Sequence, residues 1–146
     1  MRDYPMAYRY YKTFLEIKKA LNLDVYQMEN AKIGVVYSKV GLKEQSEKMF
    51  DDYLASAEKD KSIYKHLSLA VYYSYQNEPD KAIQHLKQFS QQDNFHYWTI
   101  LFLKMDPLVD NIKDLPEFKR IYKEMEAKFW KNHRQIKIAL KAKGLV

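Results

Sequence analysis

Residues 33–53 read IGVVYSKVGLKEQSEKMFDDY, and residues 69–89, which lie 36 positions further along, read LAVYYSYQNEPDKAIQHLKQF. Set in register, the two stretches match at seven positions: Ile33, Gly34, Tyr37, Gly41, Ser46, Phe50 and Tyr53 in the first, and Leu69, Ala70, Tyr73, Asn77, Ala82, Leu86 and Phe89 in the second. In each stretch a turn residue separates two segments rich in helix-forming residues. The pattern therefore predicts two helical hairpins built on one plan, at residues 27–60 and 63–96.

Small residues lie at the positions where the two helices of each hairpin would touch. Gly34 and Ala70 have little or no side chain, so the second helix of each pair can approach the first closely. Ser46 and Ala82 do the same from the other side. The aromatic and large apolar residues of the pattern then fill the space between adjacent hairpins. An ordinary antiparallel bundle whose small residues coincide is the alternative interpretation.

This pattern resembles the tetratricopeptide repeat (TPR), whose unit has about 34 residues; Ser46 stands where that family usually has Ala. The resemblance implies an all-α fold in which antiparallel hairpins stack as a short right-handed superhelix. It also implies a protein or peptide partner. Residues 98–118, with Met105-Asp106-Pro107 and Leu115-Pro116-Glu117-Phe118, are similar to the segment that follows the last repeat in many bacterial signalling proteins. That second resemblance implies the C-terminal part of a signalling or transcription regulator.

Three further segments complete the single predicted domain. Asp3 and Pro5 open an N-terminal helix within residues 1–22, and Asp24 with Gln27 forms a capping-box pattern before the first hairpin. A capping segment at 97–118, which overlaps a helix predicted at about 95–105, is expected to seal the stack with Trp98, Leu108, Ile112 and Phe118. A long basic helix then runs through residues 115–144, and its N-terminal signal includes Asp114.

The first helix of each hairpin is expected to line a concave groove for a partner. The candidate groove residues are Met28, Lys32, Val35 and Lys39 in the first hairpin and Tyr64, Ser68, Val71 and Tyr75 in the second. A surface that is apolar with a few hydroxyls and two lysines suits an extended peptide or an amphipathic helix. The alternative is that the N-terminal helix itself fills this groove.

The basic charge is concentrated at the end of the chain. Residues 117–146 contain nine Lys or Arg and three Glu, which accounts for the whole net charge of +6. The candidate contact residues there are Trp130, Lys131, Arg134, Lys137 and Lys141. Three interpretations are open: a homodimer or other protein contact through this helix, a phosphate backbone along the basic stripe, or a solvated helical face.

Composition argues against most chemistry. The absence of Cys excludes disulfides and thiolate metal sites, and three Gly leave no room for a glycine-rich phosphate loop. The four His show no metal-ligand spacing. We therefore expect no cofactor, no metal and no enzyme activity. Lys or Arg interrupts every apolar stretch of the first 20 residues, so we expect neither a signal peptide nor a membrane span, and a cytoplasmic location.

Overall fold

The computed structural model describes residues 2–145, which contain seven α-helices and no β-strand. The helices are α1 (Tyr4–Ala20), α2 (Asn30–Lys39), α3 (Lys43–Lys59), α4 (Lys65–Tyr75), α5 (Pro79–Ser90), α6 (Tyr97–Phe102) and α7 (Pro116–Ala142), with short 3₁₀ turns at Gln27–Glu29, Leu103–Met105 and Pro107–Val109. The predicted all-α class is confirmed. The helix predicted at about 95–105 is wrong in extent, since it covers six residues and then tightens into a 3₁₀ turn.

Helices α2 and α3, and likewise α4 and α5, form hairpins with connections of only three residues, which makes the paired helices antiparallel. Two residues after the first helix of each pair comes a residue with positive φ, +88° at Gly41 and +59° at Asn77. The following residue then donates its N–H to a carbonyl five positions back, Leu42 to Tyr37 and Glu78 to Tyr73, each at 2.9 Å. Two residues 36 positions apart thus end their helices with the same geometry.

The α2–α3 pair is in close contact at Gly34. A Cβ added to Gly34 would lie 2.7 Å from Cε2 of Phe50, so no side chain larger than hydrogen fits there without movement. Ser46 is buried beside this contact, and its hydroxyl donates to the Gly34 carbonyl at 2.8 Å. The serine thus satisfies its own polar group within the hairpin. In the α4–α5 pair the corresponding Ala70 and Ala82 are buried.

Aromatic residues join the two hairpins. The ring of Phe50 stacks on Tyr75 with centroids 4.0 Å apart. Tyr53 is buried, and its hydroxyl donates to the Ser68 carbonyl at 3.1 Å, which links α3 to α4. Burial raises the pKa of Tyr53 to about 12, so this hydroxyl keeps its proton.

The segment after α6 folds back over the hairpins. Asp106 accepts a hydrogen bond from the backbone N–H of Leu108 at 2.9 Å, which fixes the turn Pro107–Val109. That turn packs against both α2 and α4. Leu108, Ile112 and Phe118 are buried as predicted. Trp98 was also expected to seal the stack, but this prediction is wrong, because 52% of its surface is exposed.

Helix α1 lies on the outer side of the first hairpin. Tyr8 makes an edge contact with Tyr37 of α2, and Asp3 accepts the Met6 N–H at 3.0 Å, as its position predicts. The capping box at residues 24–27 is not formed. The Asp24 carboxylate accepts from the side-chain amide of Gln27 instead of a backbone N–H, because Tyr26, with φ at +58°, turns the chain immediately before the 3₁₀ turn.

Helix α7 has 27 residues and is about 40 Å long at 1.5 Å per residue. Leu115 precedes its first turn without a side-chain cap, while Asp114 pairs with Lys119. The buried residues of α7 lie in its first half: Phe118, Ile121, Tyr122 and Met125. A gap of about 220 Å³ lies between Phe95 and the part of α7 from Phe129 to Ile136. Within residues 2–145, no helix combines the length and the apolar character needed to cross a bilayer.

Candidate functional site

A cleft opens between α2, α4 and the chain from Trp98 to Leu108, and it has a volume of about 420 Å³. We refer to it as the interhelical cleft. Its lining residues come from three regions: Met28, Glu29, Ala31 and Lys32 around the start of α2; Tyr53, Asp60, Ser62, Tyr64, Leu67, Ser68 and Val71 from α3, α4 and their connection; and Trp98, Thr99, Phe102, Leu103, Asp106 and Leu108 from the third wall.

The rim of the interhelical cleft is apolar and exposed. Trp98 and Phe102 have 52% and 57% of their surface exposed, and Met28 across the opening has 39%. Leu67 and Val71 in the α4 wall are buried. Large apolar side chains that converge on an opening while remaining exposed are typical of a binding surface, because scattered exposed apolar residues are common but concave groups are not.

The charged groups of the cleft are mostly acidic. Glu29, Asp60 and Asp106 are carboxylates and Lys32 is the one cation among the lining residues, so their formal charge sums to −2. Lys32 pairs with Glu29 at 3.3 Å. Asp60 accepts from the backbone N–H of Ser62 at 2.8 Å, and Asp106 accepts from Leu108. The lining therefore favours a ligand that combines apolar groups with positive charge.

Tyr64 orients one side of the rim. Its hydroxyl accepts the backbone N–H of His96 at 2.8 Å, and its ring stacks on Trp98 with centroids 6.1 Å apart. The hydrogen bond and the stacking together hold the start of α6 next to α4. Trp98 is thus held in place while half exposed, so that binding would immobilise little additional side-chain freedom.

Thr99 lies at the inner side of the cleft and is 1% exposed. Its hydroxyl has no hydrogen-bond partner among the described residues. A buried hydroxyl without a partner costs free energy, so a ligand that reached it with a polar group would recover part of that cost.

The cleft contains five of the eight predicted groove residues: Met28, Lys32, Tyr64, Ser68 and Val71. The other three lie elsewhere. Val35 is buried in the same core cluster as Leu108, because the turn Pro107–Val109 covers α2 and α4 at that level. Lys39 is exposed at the end of α2, away from the cleft. Tyr75 faces the neighbouring hairpin, where it stacks on Phe50.

Sequence reasoning missed the third wall of the cleft. The sequence predicts that Phe102 and Leu103 belong to one continuous helix at about 95–105, whereas the 3₁₀ turn that begins at Leu103 leaves Phe102 at the rim. No local motif marks this change of direction. The alternative, in which α1 fills the groove, is not seen, since no residue of α1 lines the cleft.

The predicted contact residues of α7 lie outside the cleft. Trp130 is half-buried, and its ring meets Tyr97 edge-on with centroids 5.5 Å apart. The exposed basic residues Lys131, Arg134, Lys137 and Lys141 follow, and none of them forms an ion pair within residues 2–145. No acidic residue follows Glu126 in the chain. This end of α7 is thus an exposed cationic helix.

Two histidines from α4 and α5 also face each other. The Nδ1 atoms of His66 and His85 are 3.1 Å apart and the ring centroids are 5.4 Å apart, so the two nitrogens point at one another. This is the geometry of one N–H shared between two imidazoles. If the two histidines bound one metal ion, both Nδ1 atoms would point at the metal and not at each other. Among residues 2–145, no group of three or more His, Asp or Glu has an arrangement that could hold a metal ion.

Comparison with known proteins gives no match to a family model, a curated protein or a solved structure. The function is therefore inferred from the interhelical cleft and the exposed end of α7.

Proposed function

We propose that the chain is a non-catalytic, TPR-like interaction module that binds a short peptide segment in the interhelical cleft. The observation that carries this proposal is the cleft itself: about 420 Å³ between the first helices of two hairpins, with Trp98, Phe102 and Met28 exposed at its rim. A protein or peptide partner was the expectation from the repeat pattern. The turn Pro107–Val109 covers part of the groove that the repeat pattern predicts. In this proposal the peptide binds in the part that stays open, where residues 98–108 form a third wall.

The geometry of the hairpins supports the TPR-like interpretation. The two hairpins use equivalent turn residues, Gly41 and Asn77, with equal hydrogen bonds around them. The two small-residue contacts, at Gly34 and at Ala70, are both buried. Repeated hairpins that stack on one another create concave surfaces on one side, and such surfaces serve as binding sites in repeat proteins.

The chemistry of the ligand follows from the lining. Pockets of this volume accept a few side chains, so two or three large apolar residues of the peptide would enter between Phe102, Leu67 and Met28. The carboxylates of Asp60 and Asp106 would lie near basic residues that flank those apolar ones. The ligand class is thus an apolar peptide segment with Lys or Arg beside it.

A peptide selection tests this proposal. A display library of random twelve-residue peptides is selected on the protein carrying Trp130→Phe, Ile136→Asp and Leu140→Asp. Trp98 is then the remaining tryptophan and its fluorescence reports the rim, while the substitutions at 136 and 140 remove the apolar residues at the end of α7 as competitors for the cleft. We expect enriched peptides to combine large apolar residues with Lys or Arg and to change the Trp98 emission. Phe102→Lys should weaken their binding at least tenfold.

The neighbouring Leu101 provides the matched control. Leu101 is 39% exposed on the same helix but does not line the cleft, so Leu101→Lys adds the same charge outside the site. Binding should remain within about twofold of the parent protein. Selection of no peptide, or equal binding by the Phe102→Lys and Leu101→Lys proteins, would overturn the proposal.

A second candidate function is nucleic-acid binding by the end of α7. The specific observation is the run of exposed Lys131, Arg134, Lys137 and Lys141 without ion pairs in the described part of the chain. Neutralising phosphates releases counterions, so such binding weakens steeply as salt rises. A labelled DNA duplex should bind at low salt and lose binding when these four residues become Gln; no shift at low salt would refute this function.

A further inference from the structure

We propose that the ligand of the interhelical cleft is the exposed end of α7 from a second copy of this chain, so that two chains exchange these ends in a symmetric dimer. The inference rests on the proposed function, since it names the partner of the same cleft. We call residues 131–142 the α7 tail. Its apolar seam is formed by Ile136 and Leu140, four residues apart on one face.

The α7 tail cannot reach the cleft of its own chain. No Gly or Pro occurs between residues 117 and 143, and α7 is one unbroken helix through Ala142. Leu140 lies ten residues beyond Trp130, where α7 passes α6, and therefore about 15 Å further along a straight axis. A helix without a kink does not fold back on itself. The cleft that receives the tail must belong to another molecule.

The charges and apolar groups of the tail and the cleft are complementary. The cleft lining sums to −2 and has an apolar rim. The tail has four cationic residues and no acidic residue, and Ile136 of its apolar seam is 57% exposed. A helix with an apolar seam and flanking cations matches the ligand class derived from the cleft alone.

The positions of the two surfaces suit a reciprocal exchange. Trp130 at the base of the tail contacts Tyr97, and Tyr97 precedes Trp98 at the cleft rim. The tail thus leaves each molecule beside its own cleft. With a two-fold axis next to this point, both tails cross to the neighbouring molecule at once, and each cleft receives one tail, as a self-complementary dimer requires.

A complementation experiment tests the exchange. The first protein carries Ile136→Asp and Leu140→Asp, which spoil the tail and leave the cleft intact. The second carries Phe102→Lys, which spoils the cleft and leaves the tail intact. Light scattering should give twice 17.6 kDa for the wild-type protein and 17.6 kDa for each variant alone. Mixing the two variants should restore a dimer, because the good tail of one fits the good cleft of the other.

Two substitutions serve as controls. Ile138→Asp places the same charge on the opposite face of the tail, and Leu101→Lys places a cation beside the cleft but not in it. Both proteins should dimerise like the wild type. Circular dichroism spectra of all variants should match, since every substituted residue has exposed surface or lies in the exposed half of α7.

Several outcomes would overturn the inference. One such outcome is that light scattering gives a monomeric mass for the wild-type protein at high concentration. A dimer that survives Phe102→Lys, or one that mixing does not restore, would indicate a different interface, such as tail against tail. A monomer whose four tail cations are needed to bind a DNA duplex would assign the tail to nucleic acid.

A synthetic peptide of residues 128–145 separates this inference from the proposed function. The acceptor is the full-length tail variant, whose cleft is free. If library-selected peptides bind this acceptor and the tail peptide does not, the proposed function stands and the inference falls. If neither binds, both fall. If the tail peptide binds and Phe102→Lys weakens it at least tenfold, both are supported.

Discussion

Replacing Gly34 by Ala tests the contact on which the first hairpin depends. An added Cβ would lie 2.7 Å from Cε2 and 2.9 Å from Cδ2 of Phe50, far inside van der Waals distance. The ring of Phe50 is itself 2% exposed and stacks on Tyr75, so it has little room to retreat. The substitution therefore forces either the ring or helix α3 to move.

Two opposing effects set the size of the change in stability. Overpacking of this kind costs about 1–3 kcal/mol. Alanine favours a helix interior over glycine by roughly 0.5–1 kcal/mol, which offsets part of that cost. We expect a net loss of about 1–2 kcal/mol, or a decrease in Tm of roughly 3–6 °C for a chain of this length.

Urea unfolding followed by circular dichroism measures this loss, and a second substitution shows its cause. Phe50→Leu removes the ring atoms that the new methyl would meet, so in that background Gly34→Ala should be neutral or stabilising by up to about 1 kcal/mol. If Gly34→Ala costs the same with Leu at position 50, or stabilises the wild-type protein, the close approach of α2 and α3 is wrong.

Two further predictions concern pH. Burial, together with the neighbouring His66 and Lys65, lowers the pKa of His85 below its ordinary value of 6.5, so the fold disfavours its charged form and stability should fall as pH drops through 6.5. The decrease in Tm between pH 8 and pH 5.5 should be smaller in His85→Gln; an equal decrease in both proteins would contradict this. Hydrogen bonds from Arg120 and then Lys87 lower the pKa of Glu117 from 4.5 to about 2, so its stabilising contribution is present above pH 4.5 and lost toward pH 2. Carboxyl NMR should show this low midpoint and a rise in Lys87→Gln, whereas a midpoint near 4.5 in the wild type would refute the pairing.

The sequence predicted local features of the fold at positions where a single residue type has a specific conformational role. Gly41 tolerates positive φ and ends α2, and Asp3 and Asp106 cap the elements that follow them. These features depend on a few neighbouring residues, so the sequence contains the information directly.

The cleft depended on long-range packing and was only partly predictable. Its α2 and α4 walls followed from the repeat pattern, but the choice between groove and core at Val35 and Tyr75 was set by residues more than 20 positions away. The third wall depends on the change from α6 to a 3₁₀ turn at Leu103, within a run of apolar residues that allows several helical registers. The His66–His85 contact spans 19 residues and has no local signature.

The contacts of Lys128 fix the position of α7 relative to α5. The Lys128 ammonium donates to the backbone carbonyls of Ser90, Gln91 and Gln92 at 3.4, 3.0 and 2.8 Å and pairs with Asp93 at 2.9 Å, so it fastens α7 to the end of α5. Because α7 is one continuous helix from Lys128 to Ala142, these contacts also fix the direction of its C-terminal half relative to α5. A molecule that binds α7 near Lys141 would therefore set the orientation of the whole domain relative to itself.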